Sequence, residues 1–376
     1  MSGMLITELD SIVELCKKSK HIYICDSGDK RKNLYRFVRD CVKIDVSKII
    51  VLTLDNVSNI AKEENIGILI GFLDEQNREI ISKLNESGFT DYLTLSEMAM
   101  RIIDYKLRVL QPEQFHFEVS LADHCNLSCQ MCDHWSQLAK PHLLDVDNFE
   151  RDIKRLSQLM DGKIGYICLL GGEPLLNNNI LDFVKITRNY FPYGIHQIVT
   201  NGIRLLKFNK EQEKLFYNTI KENNFQLTVT LYPIKIDHNA IYEKAKEYGV
   251  EIYMASDIHA NDQSHKESYK YSFDLSGTSP IHRSLLCFKF NYCRCLKNGR
   301  IYTCNTPSNI HIFNDYFGKS LSVSDEDYID IFKVNSFQEI AEFCAKPSPF
   351  CRYCDIQAWG DMFPWKPSTK KIEEYV

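Results

Sequence analysis

The chain has 376 residues, 44% hydrophobic and 25% charged, with a formal net charge of −5 and 14 cysteines. It is too long for one ordinary core and suits two or three domains. Basic residues cluster only in short pieces such as KKSK (17–20) and DKRK (29–32), so no nucleic-acid partner is indicated. No apolar run approaches ~18 residues, which leaves nothing to span a membrane, and the N-terminus lacks the apolar core of a signal peptide. Fourteen cysteines without an export signal point to a reducing, cytoplasmic setting. There, clustered thiols mean metal or catalysis more often than disulfides.

Residues 1–110 alternate strand and helix signals. HIYIC (21–25), KIIVLTLD (48–55), GILIGFL (67–73) and DYLTL (91–95) read as strands, and helices follow at about 30–42, 75–86 and 96–110. This pattern predicts a small parallel, Rossmann-like α/β domain. The turn after its first strand, CDSGDKRKN (25–33), holds only Gly28, where a dinucleotide fingerprint needs several glycines. No tight NAD binding is expected; a phosphate or nucleotide pocket at the helix N-terminus is one reading, and a helix cap by Ser27 or Asp29 is the plainer one.

Residues 111–257 repeat the alternation with longer helices. Strands read at 115–122, 163–171, 196–201, 225–233 and 251–256, with helices at about 147–160, 178–190, 210–224 and 239–249. Repeated β-α units of this length fit a full or partial parallel barrel, with chemistry at the C-terminal ends of the strands. Residues 258–376 lose the rhythm and carry seven of the cysteines, at 287, 293, 295, 304, 344, 351 and 354. A cysteine-dense, loop-rich tail is commonly organised by metal.

The stretch LADHCNLSCQMCDHW (121–135) follows the first strand of the second region and spaces Cys125, Cys129 and Cys132 as C-x3-C-x2-C. Zinc would want a fourth ligand, which His124 or His134 could supply. A four-iron cluster on three thiolates would keep one iron open for a ligand. Downstream, LLGGEPLL (169–176) ends the second strand and VTNG (199–202) ends the third. Gly171 and Gly172 permit close backbone approach to a ligand, Glu173 adds a carboxylate, and Thr200 and Asn201 offer hydrogen bonds.

C-x3-C-x2-C after strand one and GGEP after strand two, over about 115–256, resemble the radical SAM superfamily. One departure is Met131, where that superfamily usually has an aromatic residue. The resemblance implies a partial (β/α)6 barrel in which Cys125, Cys129 and Cys132 hold a [4Fe–4S] cluster. The open iron would take S-adenosylmethionine, whose amino group meets Gly171, Gly172 and Glu173. Thr200 or Asn201, and Thr228 or Thr230, would contact its ribose. The implied chemistry is reductive cleavage of S-adenosylmethionine to a 5′-deoxyadenosyl radical, fed by a donor such as flavodoxin or ferredoxin.

Period-two alternation puts His116, Glu118 and Ser120 on one face of the first strand and Thr228, Thr230 and Tyr232 on one face of the fourth. Helices cover a barrel's outside, so these polar sets should point inward. Glu118 and Tyr232 are the candidates nearest substrate or S-adenosylmethionine, with satisfied structural groups as the alternative.

In the tail, Cys287, Gly299 and Cys304 form C-x11-G-x4-C, and Cys351 and Cys354 form C-x2-C. Four soft thiolates suit an iron–sulfur cluster or zinc. The pattern is similar to the twitch domain, a shortened SPASM extension, which implies one auxiliary [4Fe–4S] cluster because no cysteine follows Cys354. Twitch-bearing relatives include an inosamine dehydrogenase, and larger SPASM relatives modify peptides. The expected substrate is a sugar, aminocyclitol or sugar nucleotide undergoing dehydrogenation or epimerisation. The rivals are a peptide-modifying enzyme and a non-enzymatic zinc or iron–sulfur module.

Overall fold

The first helix is not among the elements expected from the alternation. Helix α1 (Ser2–Lys18) carries Leu5, Ile6, Leu9, Ile12, Val13 and Cys16 at three- and four-residue spacing, and all six are buried. It belongs to a computed structural model that describes residues 2–25, 30–71, 75–107, 111–255, 265–287, 289–359 and 362–376. The chain divides into two units.

The first unit comprises Met1–Val109, Pro280–Phe290 and Ala345–Cys351. After α1 come β1 (His21–Cys25), α2 (Lys30–Arg36), β2 (Ile49–Leu52), β3 (Ile66–Ile70), α3 (Glu75–Glu86), β4 (Leu93–Thr94) and α4 (Glu97–Leu107). The four strands form one parallel sheet in the order β2-β1-β3-β4. Tyr23, Cys25, Ile68, Ile70, Ile80 and Leu84 make its core. Cys16 and Cys41 are buried in the same unit. The turn with Ser27, Gly28 and Asp29 lies outside the described residues. Asp10 of α1 accepts hydrogen bonds from His282 Nε2 at 2.8 Å and Arg283 Nη2 at 2.6 Å, so the 281–286 turn is tied to α1.

The second unit comprises Leu110–Ser279, Asn291–Cys344 and Arg352–Val376. It alternates β5 (His116–Ser120), α5 (Val146–Met160), β6 (Tyr166–Leu170), α6 (Ile180–Tyr190), β7 (Ile195–Thr200), α7 (Lys210–Glu222), β8 (Phe225–Thr230), α8 (His238–Tyr248) and β9 (Ile252–Ala255). Then follow β10 (Glu267–Tyr269), the short α9 (Lys289–Tyr292), whose first two residues belong to the first unit, β11 (Cys295–Lys297), β12 (Arg300–Tyr302), α10 (Asn305–Phe317), β13 (Tyr328–Asp330), α11 (Phe337–Cys344) and β14 (Met362–Pro364). The large sheet runs β13-β12-β11-β5-β6-β7-β8-β9. Five parallel strands come from the expected β-α repeat. β11, from the cysteine-rich tail, joins them in parallel beside β5, with Cys295 opposite Glu118.

The two faces of this sheet differ as the alternation demands. Phe117, Val119, Ile167, Leu169, Ile198, Leu227 and Val229 are all buried on one face. Phe117 meets Phe191 at the end of α6, and Phe115 meets Phe337 of α11. Full burial of each such side chain stabilises by about 1.5–3 kcal/mol. The opposite face carries Glu118, Tyr166, Cys168, Gln197 and Thr228. There Tyr166 donates to Gln197 and Gln197 donates to Thr228.

Candidate active site

The loop between β5 and α5 carries Cys125, Cys129 and Cys132, each partly exposed. Its backbone turns through left-handed conformations at Met131 (φ 58°) and Trp135 (φ 53°), which non-glycine residues adopt only where packing enforces them. Trp135 supplies that packing. It is buried, with ring centroids 5.7 Å from Phe273 and 5.6 Å from Phe313.

The GGEP segment holds this loop in place. Gly172 N–H donates to Ala122 O at 2.8 Å, and Glu173 N–H donates to His124 O at 3.1 Å. Gly171 sits at φ +139°, and a Cβ on Gly172 would lie 2.1 Å from the His124 carbonyl oxygen. The close approach expected toward a ligand is thus made, at these two glycines, toward the backbone of residues 122–125.

Glu173 is buried, and its carboxylate accepts from Thr200 Oγ1 at 2.6 Å, Asn201 N–H at 2.9 Å and Leu175 N–H at 3.0 Å. Burial raises its pKa, and the donors from Asn201, Thr200 and Leu175 oppose the rise. Three of a carboxylate's roughly four acceptor sites are taken, so the side chain clamps the loop ends of β6 and β7 together. Thr200 also accepts from Gly202 N–H at 3.1 Å. Asn201 reaches the cysteine loop, donating to Asn126 Oδ1 at 2.7 Å with the Cys125 sulfur 3.8 Å away.

Tyr232 lies just past β8, where all three thiols bear on it. Burial raises its pKa well above normal, and Cys129, Cys125 and Cys132 push it further. Burial likewise raises the thiols of Cys125, Cys129 and Cys132, the last to about 12. Among the described residues no three His, Cys, Asp or Glu side chains converge tightly enough to share one metal ion.

The remaining sequence candidates fall in two places. Glu118, Thr228 and Thr230 are buried at the polar face of the parallel strands. Of the tail cysteines, Cys287 and Cys351 fall in the first unit, where burial, and after it the Cys287 thiol, raises the Cys351 pKa; Cys304 and Cys354 fall in the second. Cys293, Cys295 and Cys344 are buried. Sequence reasoning missed the Tyr166–Gln197–Thr228 chain. Period two in YICLL and IHQIVT, the same signal that marked Glu118, would have found it. It also missed Asn126, and Asn305, whose amide donates to Asp133 at 3.1 Å beside His134; nothing in the local pattern marks these.

Residues 119–274 match the Radical SAM superfamily. The match spans less than half of the chain, and over that segment the chain is similar to this superfamily. A GTP 3′,8-cyclase of Clostridium perfringens (strain SM101 / Type A) is 29% identical over 121 residues, covering 30% of this chain and 36% of that protein. The chain thus spans about a third of that curated relative. BtrN in complex with AdoMet and 2-DOIA superposes with a TM-score of 0.40 at 17% identity, covering 66% of this chain and 94% of that one. Native anSMEcpe with bound AdoMet gives 0.36 at 14% identity, covering 59% and 79%. Radical SAM enzymes use a [4Fe–4S] cluster and S-adenosylmethionine. Their substrates are small molecules or peptides, and they require a reductant. In this chain no described helix is long and apolar enough to cross a membrane.

Proposed function

We propose that Cys125, Cys129 and Cys132 hold the [4Fe–4S] cluster that binds S-adenosylmethionine, and that the protein acts on a small polar substrate. The observation that carries this reading is the gathering of all three thiols around Tyr232, beside the GGEP loop. Thiolate donors suit iron–sulfur chemistry. A buried orphan also fits a ligand here: Ser120 Oγ, at the C-terminal end of β5, is shielded from water and has no partner among the described residues. When bound, the two cofactors supply reductive cleavage of S-adenosylmethionine and abstraction of a hydrogen atom from substrate.

The chain's own residues bind, orient and exclude water. The GGEP backbone and Glu173 fix the ends of β6 and β7 against the cysteine loop. We assign Gly171, Gly172 and Glu173 to the methionyl end of S-adenosylmethionine, with at most one acceptor site of the Glu173 carboxylate left for it. Asn201, Thr228 and Thr230 are assigned to its ribose. Thr200, already bonded to Glu173 and Gly202, is assigned chiefly to holding that loop. Glu118 stands on the polar face as a hydrogen-bonding group for substrate.

Cys287, Cys304, Cys351 and Cys354 are assigned to one auxiliary [4Fe–4S] cluster on their C-x11-G-x4-C and C-x2-C spacing. Four thiolates leave that cluster no open iron, so its role is to carry an electron. This supports dehydrogenation of a sugar, aminocyclitol or sugar nucleotide, with epimerisation as the redox-neutral outcome. A flavodoxin or ferredoxin is the assigned donor, and fourteen free cysteines suit a reducing, cytoplasmic setting.

The test is anaerobic incubation of the reduced, iron-loaded protein with S-adenosylmethionine and a panel of polyols, aminocyclitols, sugar nucleotides and GTP. GTP is included because of the relatives matched. Formation of 5′-deoxyadenosine that accelerates with one panel member supports the reading. No 5′-deoxyadenosine from a protein with a full cluster spectrum would sink it. Turnover of a peptide alone would replace the substrate class.

A further inference from the structure

The segment after β14 runs across the cysteine loop and is bonded to it from both sides of the second cysteine. Gln130 N–H donates to Lys366 O at 3.0 Å, Ser368 N–H donates to Ser128 O at 2.8 Å, and Cys129 pairs with Pro367 as an antiparallel bridge. The segment is anchored in turn by the β10–β14 pair. Trp365 N–H donates to Lys266 O at 3.3 Å, and Lys266 N–H donates to Leu231 O at 2.7 Å, next to Tyr232. Residues 362–368 thus form a strap over the loop, far from it in sequence.

The strap delivers one side chain to one sulfur. Trp365 meets Tyr232 edge-on, with ring centroids 5.7 Å apart. Its indole Nε1 is buried and makes no well-formed hydrogen bond to any described residue. An indole can only donate, and a buried donor left without an acceptor costs about 1–3 kcal/mol. The group beside it is the Cys129 thiol. The Trp365 N–H and the Tyr232 O–H are both directed at its sulfur. A neutral thiol is a weak acceptor, whereas a thiolate is a strong one, as charge-assisted bonds are.

We propose that Trp365, carried by the 362–368 strap, and Tyr232 are positioning residues that donate to the Cys129 sulfur once it is a cluster thiolate, raising the cluster's reduction potential. The inference rests on the assignment of Cys129 as a cluster ligand. Hydrogen bonds to cluster sulfurs favour the more negative, reduced state. The strap directs its donor to Cys129 alone: Cys125 takes Leu127 N–H at 3.3 Å and the Asn201 amide at 3.8 Å, and Cys132 takes the backbone of Ser136 and His134.

The experiment uses the full chain, anaerobically loaded with iron and sulfide, without S-adenosylmethionine. The midpoint potential of the barrel cluster is followed by EPR in the parent, Trp365→Phe and Tyr232→Phe. Both variants keep an aromatic ring and lose one donor. Each should shift the potential negative by a threefold to tenfold change in the reduction equilibrium, tenfold being about 59 mV for one electron. Iron content is measured alongside. If Trp365→Phe does not keep its cluster, Tyr232→Phe, which deletes one oxygen, decides alone. An unchanged or more positive potential in a variant with full iron overturns the inference. A parent chain whose iron and EPR signal survive loss of Cys129 instead overturns the ligand assignment beneath it.

Discussion

Replacing Gly172 by alanine tests whether the GGEP segment is first a brace for the cysteine loop. The added Cβ would lie 2.1 Å from His124 O, 2.4 Å from His124 C and 2.9 Å from Cys125 N, all backbone atoms with no rotamer to change. The segments must part, breaking the Gly172–Ala122 and Glu173–His124 hydrogen bonds. Two such bonds contribute about 1 kcal/mol each, and forced displacement of a packed element adds about 1–3 kcal/mol. The sum, about 3–5 kcal/mol, is a large part of a domain's typical 5–15 kcal/mol. It should lower the apo-protein's unfolding temperature by roughly 6–20 °C, read by circular dichroism or calorimetry. Gly318→Ala is the control, since Gly318 also has a positive φ (62°) but an added Cβ there meets nothing within 4 Å. Its cost should be only the left-handed strain, about 1–2 kcal/mol. If Gly172→Ala unfolds no lower than Gly318→Ala, the brace is not as tight as described.

Three further outcomes follow from particular contacts. Glu173→Gln puts a donor where a carboxylate accepts from Thr200, Asn201 and Leu175. It should lower the urea midpoint by about 1.5–3 kcal/mol of stability, the worth of one charge-assisted bond, and an unshifted midpoint would show the clamp to be slack. Asp10, despite its burial, has a lowered pKa because Arg283 and His282 donate to it. Its contribution is therefore complete above the ordinary carboxylate pKa and disappears as pH falls through the lowered value. Asp10→Asn should destabilise at pH 7 and converge on the parent as pH falls through the lowered value in urea titrations; a constant difference would disprove the linkage. Iron analysis should give about eight irons per parent chain and about four in a folded Cys351→Ala/Cys354→Ala variant, as two four-iron clusters require; equal contents would remove the auxiliary cluster.

The barrel strands and the placement of the three cysteines were legible because short-range signals agree there. Alternating apolar residues mark β5 and β8, and Asp145, Asn209 and Asp237 cap the helices that follow the expected loops. Helix α1 is legible in principle too, from the helical spacing of Leu5, Leu9, Ile12 and Cys16. What local pattern could not carry was long-range pairing. Nothing in CLK (295–297) says that it lies beside β5, and nothing in FPWKP (363–367) says that it crosses the cysteine loop. The role of Glu173 was half visible. Its place at a strand end was clear, but its three donors come from 27 and 28 residues away and from two residues ahead.

The pairing of β5 with β11 also has a consequence in time. β5 leaves the ribosome long before its outer neighbour: at about 5–20 residues per second, the interval between Ser120 and Cys295 is roughly 9–35 s. Throughout it, the strand that leads into the cysteine loop has an open edge, with the Glu118 N–H awaiting Arg294 O. An open edge is a template for pairing with another nascent chain. Slow-translating codons placed between these two strands should therefore lower the yield of monomeric protein, while the same codons placed after Tyr302 should not.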